Sequence, residues 1–154
     1  MVKRVETLVV LENKSLAKDY FILVLSSLNE DISDIKPGQF VQVKIERSPS
    51  TFLRRPFSIH DVNFSLNTIA LLIKIVGKGS LALSGLKNKD TVNVIYPLGN
   101  SFSLPQPGKR VLLAGGGCGI APLLFLGKYL RSHGFVPDLL LGFKDAGQTL
   151  ELDE

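Results

Sequence analysis

The fold class predicted by this sequence is an antiparallel Greek-key barrel of six strands, followed by the first βαβ unit of a second, α/β domain. Three observations predict it. Six β-rich runs and only one short helical stretch occupy the chain before Leu104. The composition then changes at Leu104-Pro105-Gln106-Pro107-Gly108-Lys109, a stiff connector without strand character. Beyond it a short apolar run, a cluster of glycines, a helical spacing and a second apolar run follow in order, the pattern of parallel strands joined by a helix.

The bulk properties allow this. A chain of 154 residues that is 45% hydrophobic can bury one substantial core and part of another. The net charge of +4 comes from lysines and arginines scattered along the chain. Without a dense basic run, anionic small molecules are a better expectation than nucleic acid. The single cysteine, Cys118, excludes an internal disulfide and cannot by itself hold a zinc ion or an iron–sulfur cluster. Apolar stretches are broken by Gly, Lys or Pro before membrane-spanning length, and the first residues lack a signal-peptide core, so a soluble, cytoplasmic protein with no membrane partner is expected.

Each element has its own warrant. Thr7-Leu8-Val9-Val10-Leu11 and Tyr20 to Leu25 are β-rich and separated by the polar Glu12-Asn13-Lys14-Ser15, which reads as a loop in an antiparallel pair. Lys36-Pro37-Gly38-Gln39 makes a turn into Phe40 to Glu46, which alternates as a half-buried strand. A fourth strand runs from about Arg55 to Val62, and Ile69 to Val76 is a fifth. Gly77-Lys78-Gly79-Ser80 then leads into a short helix, Leu81 to Leu86, with Ser80 where an N-cap belongs. Asp90 to Tyr96 is the sixth strand. In the second unit the strands are Arg110 to Ala114 and Asp138 to Phe143. The helix between them has Ile120, Leu123, Leu124, Gly127 and Leu130 at helical spacing, Pro122 in its first turn and Arg131, His133 and Gly134 at its end.

Two stretches carry binding chemistry. In Arg54-Arg55-Pro56-Phe57-Ser58-Ile59, guanidinium groups can take a phosphate through paired charge-assisted hydrogen bonds. Pro56 biases Arg55 towards an extended conformation, and the alternation of Phe57, Ser58 and Ile59 turns one face to a core and the other to a ligand. Taken alone, the stretch also fits a strand start with two solvated arginines. Likewise, Gly77 to Ser80 is either an ordinary strand-to-helix turn or an anion site reinforced by Lys78. Gly115-Gly116-Gly117-Cys118-Gly119 stands at the carboxyl end of a strand, the place of a nucleotide-binding turn, and four glycines in five residues exceed what a tight turn requires. Ile120 occupies the position of a third dinucleotide-motif glycine, so the turn is of another kind. His60 reads as a strand-end hydrogen-bonding residue, His133 as a complement to a helix C-terminus, and Cys118 as a small residue packed in the turn.

With both stretches in order, the chain resembles the ferredoxin–NADP reductase superfamily. Arg55-Pro56-Phe57-Ser58 is similar to its Arg-x-Tyr/Phe-Ser/Thr flavin motif, and Gly115 to Pro122 to its glycine-rich NAD(P) turn. The doubled arginine, Ser58-Ile59-His60-Asp61, Ile75 to Ser80 and Tyr96-Pro97-Leu98-Gly99-Asn100 most resemble the electron-transfer subunits of NAD-dependent dihydroorotate dehydrogenase (type B). The resemblance implies an FAD-binding β-barrel over residues 1–104, a linker over 105–109 and an incomplete NAD-binding α/β domain over 110–154. It implies that Arg55, Pro56, Phe57 and Ser58 hold the flavin and its phosphates, that Leu72, Ile73 and Lys74 line it, and that Gly79 and Ser80 bind the pyrophosphate. Gly115, Gly116, Gly117 and Gly119 would serve NAD(H).

The implied activity is electron transfer between NAD(H) and a [2Fe-2S] centre serving the dihydroorotate dehydrogenase catalytic subunit in pyrimidine synthesis, within a heterotetramer. No catalytic side chain or protein-bound metal is needed for the hydride step. The family's cysteine cluster for [2Fe-2S] has no counterpart in these residues, so a fragment of a longer chain is expected. Two other readings stay open: a free-standing NAD(P)H-dependent flavin or ferredoxin reductase, and a non-catalytic flavin-binding module.

Overall fold

The computed structural model describes residues 2–28, 31–32, 34–46 and 52–145. Nine strands and two helices are described: β1 (Arg4–Ala17), β2 (Tyr20–Ser26), β3 (Phe40–Val43), β4 (Arg55–Ser58), β5 (Asp61–Asn63), β6 (Thr68–Lys74), α1 (Lys78–Ser84), β7 (Thr91–Leu98), β8 (Leu112–Gly116), α2 (Leu123–Ser132) and β9 (Asp138–Gly142). The first seven strands form one antiparallel sheet in the order β4-β3-β7-β1-β2-β6-β5, and β8 and β9 form a separate parallel pair.

The sheet curls because its long strands change partners. Residues Arg4 to Val9 of β1 pair with β7, and Val9 to Ala17 pair with β2, with irregularities between Val10 and Glu12 and between Ser15 and Ala17. The two edge strands, β4 and β5, are consecutive in the chain. Between them Ile59 donates its N–H to the Gln39 carbonyl on one side, and His60 donates to the Ala70 carbonyl on the other. The corner at Ile59 and His60 therefore draws the two sheet edges together. It also divides the expected fourth strand in two, so the barrel has seven strands where the sequence predicts six.

Alternation fills the interior. Leu8 and Val10, Phe21, Leu23 and Leu25, Val41 and Val43, Ile69, Leu71 and Ile73, and Val92, Val94 and Tyr96 point inward at every second position and make one core. Leu83 and Leu86 from the α1 region join it, and so does Phe125 from α2. The buried Tyr96 hydroxyl donates to Glu6 Oε2, and burial followed by this carboxylate pushes the phenol pKa up to about 12.

Three expectations are corrected. The polar run Glu12 to Ser15 is not a loop but the second half of β1, held by pairing with Leu23, Ile22 and Phe21 rather than by an apolar face. The turn comes later, at Lys18 and Asp19, where Asp19 takes a positive φ of 65°. The short helix starts at Lys78 with Gly77 as its N-cap, which puts Ser80 inside the first turn. The β8–β9 pair is also less buried than its apolar sequence predicts: Leu112, Leu139 and Leu140 are exposed. Only Leu113 of β8, with Leu141 of β9, packs onto Leu123, Leu126 and Leu130 of α2. Among the described residues, no helix is long and apolar enough to cross a membrane.

Candidate flavin and nucleotide site

The candidate site is assembled from β4, the end of β6 and the start of α1. Pairing of β2 with β6 places Tyr20 opposite Lys74, whose ammonium lies 5.0 Å above the Tyr20 ring. After Lys74 the chain leaves the sheet, Ile75 donating to the Asp19 carbonyl at 2.7 Å. The following turn is built by Ser80, whose hydroxyl accepts from the N–H groups of Val76 and Gly77 at 2.9 and 3.2 Å and donates to the Gly77 carbonyl at 3.1 Å. The amides of Lys78, Gly79 and Ser80 take no hydrogen-bond partner among the described residues, as first-turn amides lack an intrahelical acceptor.

The other end of α1 is fixed from β1. Asn13 Nδ2 lies 3.1, 3.1 and 2.9 Å from the carbonyls of Leu83, Ser84 and Leu86, so one amide group gathers the carbonyls at the end of α1, where Leu83 also accepts from the Leu86 N–H. The sequence reading missed this role because Asn13 reads as a loop residue unless the length of β1 is known.

Arg55, Pro56 and Phe57 close the opposite wall. With Lys74, Val76, Gly77, Lys78, Gly79 and Ser80 they line an open cleft of about 380 Å³. The two arginines divide their tasks. Arg54 turns away: its Nη1 donates to the carbonyls of Asn93 at 3.1 Å and Gln42 at 3.4 Å, and its Nη2 to Asn93 Oδ1. It ties β4 to its neighbours, which corrects the expectation of two ligand-holding cations. Arg55 Nη1 donates to the carbonyls of Leu53 and Arg54 at 2.9 and 3.3 Å. Among the described residues its Nη2 and Nε groups have no protein acceptor, leaving three donors available.

The remaining sequence candidates fall elsewhere. Ser58 is half-buried at the end of β4, opposite Phe40. Leu72 shares the outer face of β6 with Lys74 and packs with Tyr20 and Ala121. Ile73 points the other way, into the barrel core, so its side chain cannot line a ligand on the outer face; strand alternation is the reason.

The glycine cluster belongs to the second unit. Gly115 and Gly116 end β8, paired with Leu141 and Gly142, and Gly117 to Ile120 form a 3₁₀ turn. The turn thus begins two residues later than expected. A Cβ on Gly115 would lie 2.7 Å from Leu123 Cδ1 and 3.0 Å from the Gly119 carbonyl, and Gly117 has a φ of +53°. Packing and backbone conformation explain those two glycines. Gly119 is different: a Cβ there meets no atom within 4 Å, so nothing in the described protein requires a glycine at that point. Cys118 is exposed rather than packed in the turn. Its neighbour Gly117 faces the barrel, with the Tyr20 hydroxyl 3.7 Å from where its Cβ would be. Tyr20 therefore stands between the glycine turn and Lys74 on the cleft wall, a junction that the sequence reading did not single out.

His133 ends α2, its Nδ1 lying 2.8 Å from the Tyr129 carbonyl, which fits the expected role at a helix C-terminus. Among the described residues, no group of three or more His, Cys, Asp or Glu is placed to hold a metal ion.

Residues 7–102 match the family model described as the oxidoreductase FAD-binding domain. The chain belongs to that family. The matched region of this FAD-binding oxidoreductase domain contains both walls of the cleft. Among curated relatives, it is similar to the dihydroorotate dehydrogenase B (NAD(+)) electron transfer subunit of Desulforamulus reducens, 45% identical over 114 residues that cover 74% of this chain and 44% of the relative. The subunit of the same name from Geobacillus sp. (strain WCH70) is 37% identical over 142 residues, covering 90% and 54%. The chain thus spans about half the length of the curated relatives it matches. Among solved structures, an NADH-dependent reduced ferredoxin-NADP oxidoreductase studied for flavin-based electron bifurcation superposes with a TM-score of 0.81 at 30% identity, covering 95% of this chain and 51% of that one. The ferredoxin reductase in carbazole 1,9a-dioxygenase gives 0.85 at 21% identity, covering 98% and 46%, a likeness of fold.

Proposed function

We propose that this chain is the FAD-holding part of an electron-transfer subunit that carries electrons between NAD(H) and a [2Fe-2S] centre serving a dihydroorotate dehydrogenase catalytic subunit in the cytoplasm. The observation that carries the reading is the cleft in which Arg55, with three donors left over among the described residues, faces the amides of Lys78, Gly79 and Ser80, which have no partner among those residues either. An array of a forked cation and main-chain N–H groups fits a diphosphate.

In this reading Arg55, Gly79 and Ser80 bind the FAD diphosphate, Ser80 through its main chain because its hydroxyl is committed to the turn. Phe57, Pro56 and Lys74 border the ring, with Ser58 and Leu72 behind them. Bound FAD supplies a ring that accepts a hydride as two electrons and releases them singly. The protein's task is to orient and to exclude water, so the buried cluster of Tyr20, Leu72 and Ala121 gives the site a rigid apolar backing while Gly115, Gly116, Gly117 and Gly119 offer main chain to the nicotinamide nucleotide. Residues 1–104 form the flavin domain, 105–109 the linker and 110–154 the beginning of the nucleotide domain. The relatives' printed names support the catalytic-subunit partner and the NAD(H) specificity.

Steady-state oxidation of NADH with an artificial one-electron acceptor tests this. The yellow protein should turn over NADH in preference to NADPH and co-purify with the dehydrogenase catalytic subunit when both are expressed. FAD bound without any NADH oxidation would leave a passive flavin module and refute the electron-transfer reading.

A further inference from the structure

After β4 ends at Ser58, the chain runs through the corner at Ile59 and His60 directly into contacts with the other unit. His60 is buried, with 2% of its surface exposed, and its Nδ1 lies 2.6 Å from the Ala121 carbonyl. A carbonyl can only accept, so the ring is present with Nδ1 protonated and donating. The His60 main-chain carbonyl in turn accepts from Phe125 N at 3.0 Å. Asp61 Oδ2 accepts from Lys128 Nζ at 2.9 Å. Residues 121, 125 and 128 follow the i, i+4, i+7 spacing of one helical face, and that face is distinct from the Leu123, Leu126 and Leu130 face that packs on β8 and β9.

Helix α2 needs this help at its start. Its N-cap is Pro122, which has no side-chain oxygen to offer the first-turn amides, and its first turn contains no acidic residue. The Phe125 amide is one of those first-turn donors, and the barrel's His60 carbonyl takes it. Phe125 itself enters the barrel core, 6.4 Å between ring centroids from Phe64.

We propose that His60 and Asp61 are positioning residues: they cap and register α2 from the barrel, and so set the glycine turn at a fixed offset from the Arg55–Ser58 motif that immediately precedes them in the chain. The ruler is short. Only Ile59 separates Ser58 from His60, and only Gly119 and Ile120 separate Cys118 of the turn from Ala121. The consequence for chemistry rests on the reading that the glycine turn takes the nicotinamide nucleotide.

The test uses the FAD-loaded protein and its His60→Ala, His60→Gln and Lys128→Met variants, with amide hydrogen exchange and imidazole nitrogen shifts read by NMR alongside NADH kinetics. In the unsubstituted protein the His60 nitrogens should report a neutral ring protonated at Nδ1. His60→Ala keeps the main-chain carbonyl that accepts from Phe125 but removes the Nδ1 bond to Ala121, and the helix start released by that loss should lower protection of the Phe125 amide about tenfold, the scale of one net hydrogen bond, while Leu130 within the helix is unchanged. The KM for NADH should rise several-fold with FAD content unaltered, and His60→Gln, which keeps an N–H donor, should recover part of both. Lys128→Met should move the same readouts less, since that pair is half-exposed. Unchanged Phe125 protection in His60→Ala would overturn the proposal. Lost protection with an unchanged KM would overturn the positioning role. The parent reading is tested separately: NADH must shift the Gly116 and Gly119 amides of the unsubstituted protein, and if it does not, the nucleotide assignment fails whatever His60 does.

Discussion

Replacing Arg54 and Arg55 separately with alanine tests the division of labour between two adjacent cations. Among the described residues Nη2 and Nε of Arg55 have no protein acceptor, whereas Arg54 spends its guanidinium on Asn93 and Gln42. One charge-assisted hydrogen bond to a phosphate contributes about 2 kcal/mol, so Arg55→Ala should weaken FAD binding roughly 30-fold. Arg55→Lys, which keeps the charge but loses the planar fork, should fall between the two. Arg54→Ala removes a half-buried tie between β4 and its neighbours and should cost about 2 kcal/mol of stability, roughly 4–8 °C in Tm for a chain of this size. FAD titration by fluorescence quenching and thermal unfolding of the apoprotein give the two readouts. Equal loss of FAD affinity in both alanine variants, or a larger loss in Arg54→Ala, would refute the argument.

Three further outcomes are expected. Asn13→Asp reverses a donor into a charged acceptor among the carbonyls of Leu83, Ser84 and Leu86, at the negative end of α1, and should destabilise the protein by about 2 kcal/mol by urea unfolding. Gly115→Ala should be strongly destabilising because its Cβ meets Leu123 Cδ1 and the Gly119 carbonyl, whereas Gly119→Ala should leave Tm unchanged and affect only nucleotide binding. Burial holds the His60 pKa below its ordinary 6.5, against the opposing pull of the Ala121 carbonyl and Asp61, with Lys128 adding to the lowering. Below about pH 6.5 the unfolded chain therefore binds more protons than the folded one, and stability should fall as the pH drops from there towards the lowered folded value. In His60→Gln that component of the Tm-against-pH slope should disappear.

Much of this architecture is legible in the sequence because strand alternation and glycine placement are local signals. The inward series on β2, β6 and β7 follows directly from every-second-residue hydrophobicity, and the end of α2 from Arg131, His133 and Gly134. What is not legible depends on contacts between distant segments. The corner at Ile59 and His60 arises because two different partners claim consecutive amides, which no hydrophobic pattern records. Arg54 and Arg55 look equivalent until Asn93 is placed beside one of them. Asn13 looks like a loop residue because its partner carbonyls lie about seventy positions away in α1. The same holds for Lys74 and Tyr20, whose pairing needs the register of β2 against β6.

The most direct measurement is the visible absorption spectrum of the purified protein, together with the mass of the flavin released on denaturation. Arg55 facing the amides of Lys78 to Ser80 predicts a yellow protein that releases intact FAD, diphosphate included. A folded chain that binds FMN as well as FAD, or that stays colourless when saturated with FAD, would contradict it.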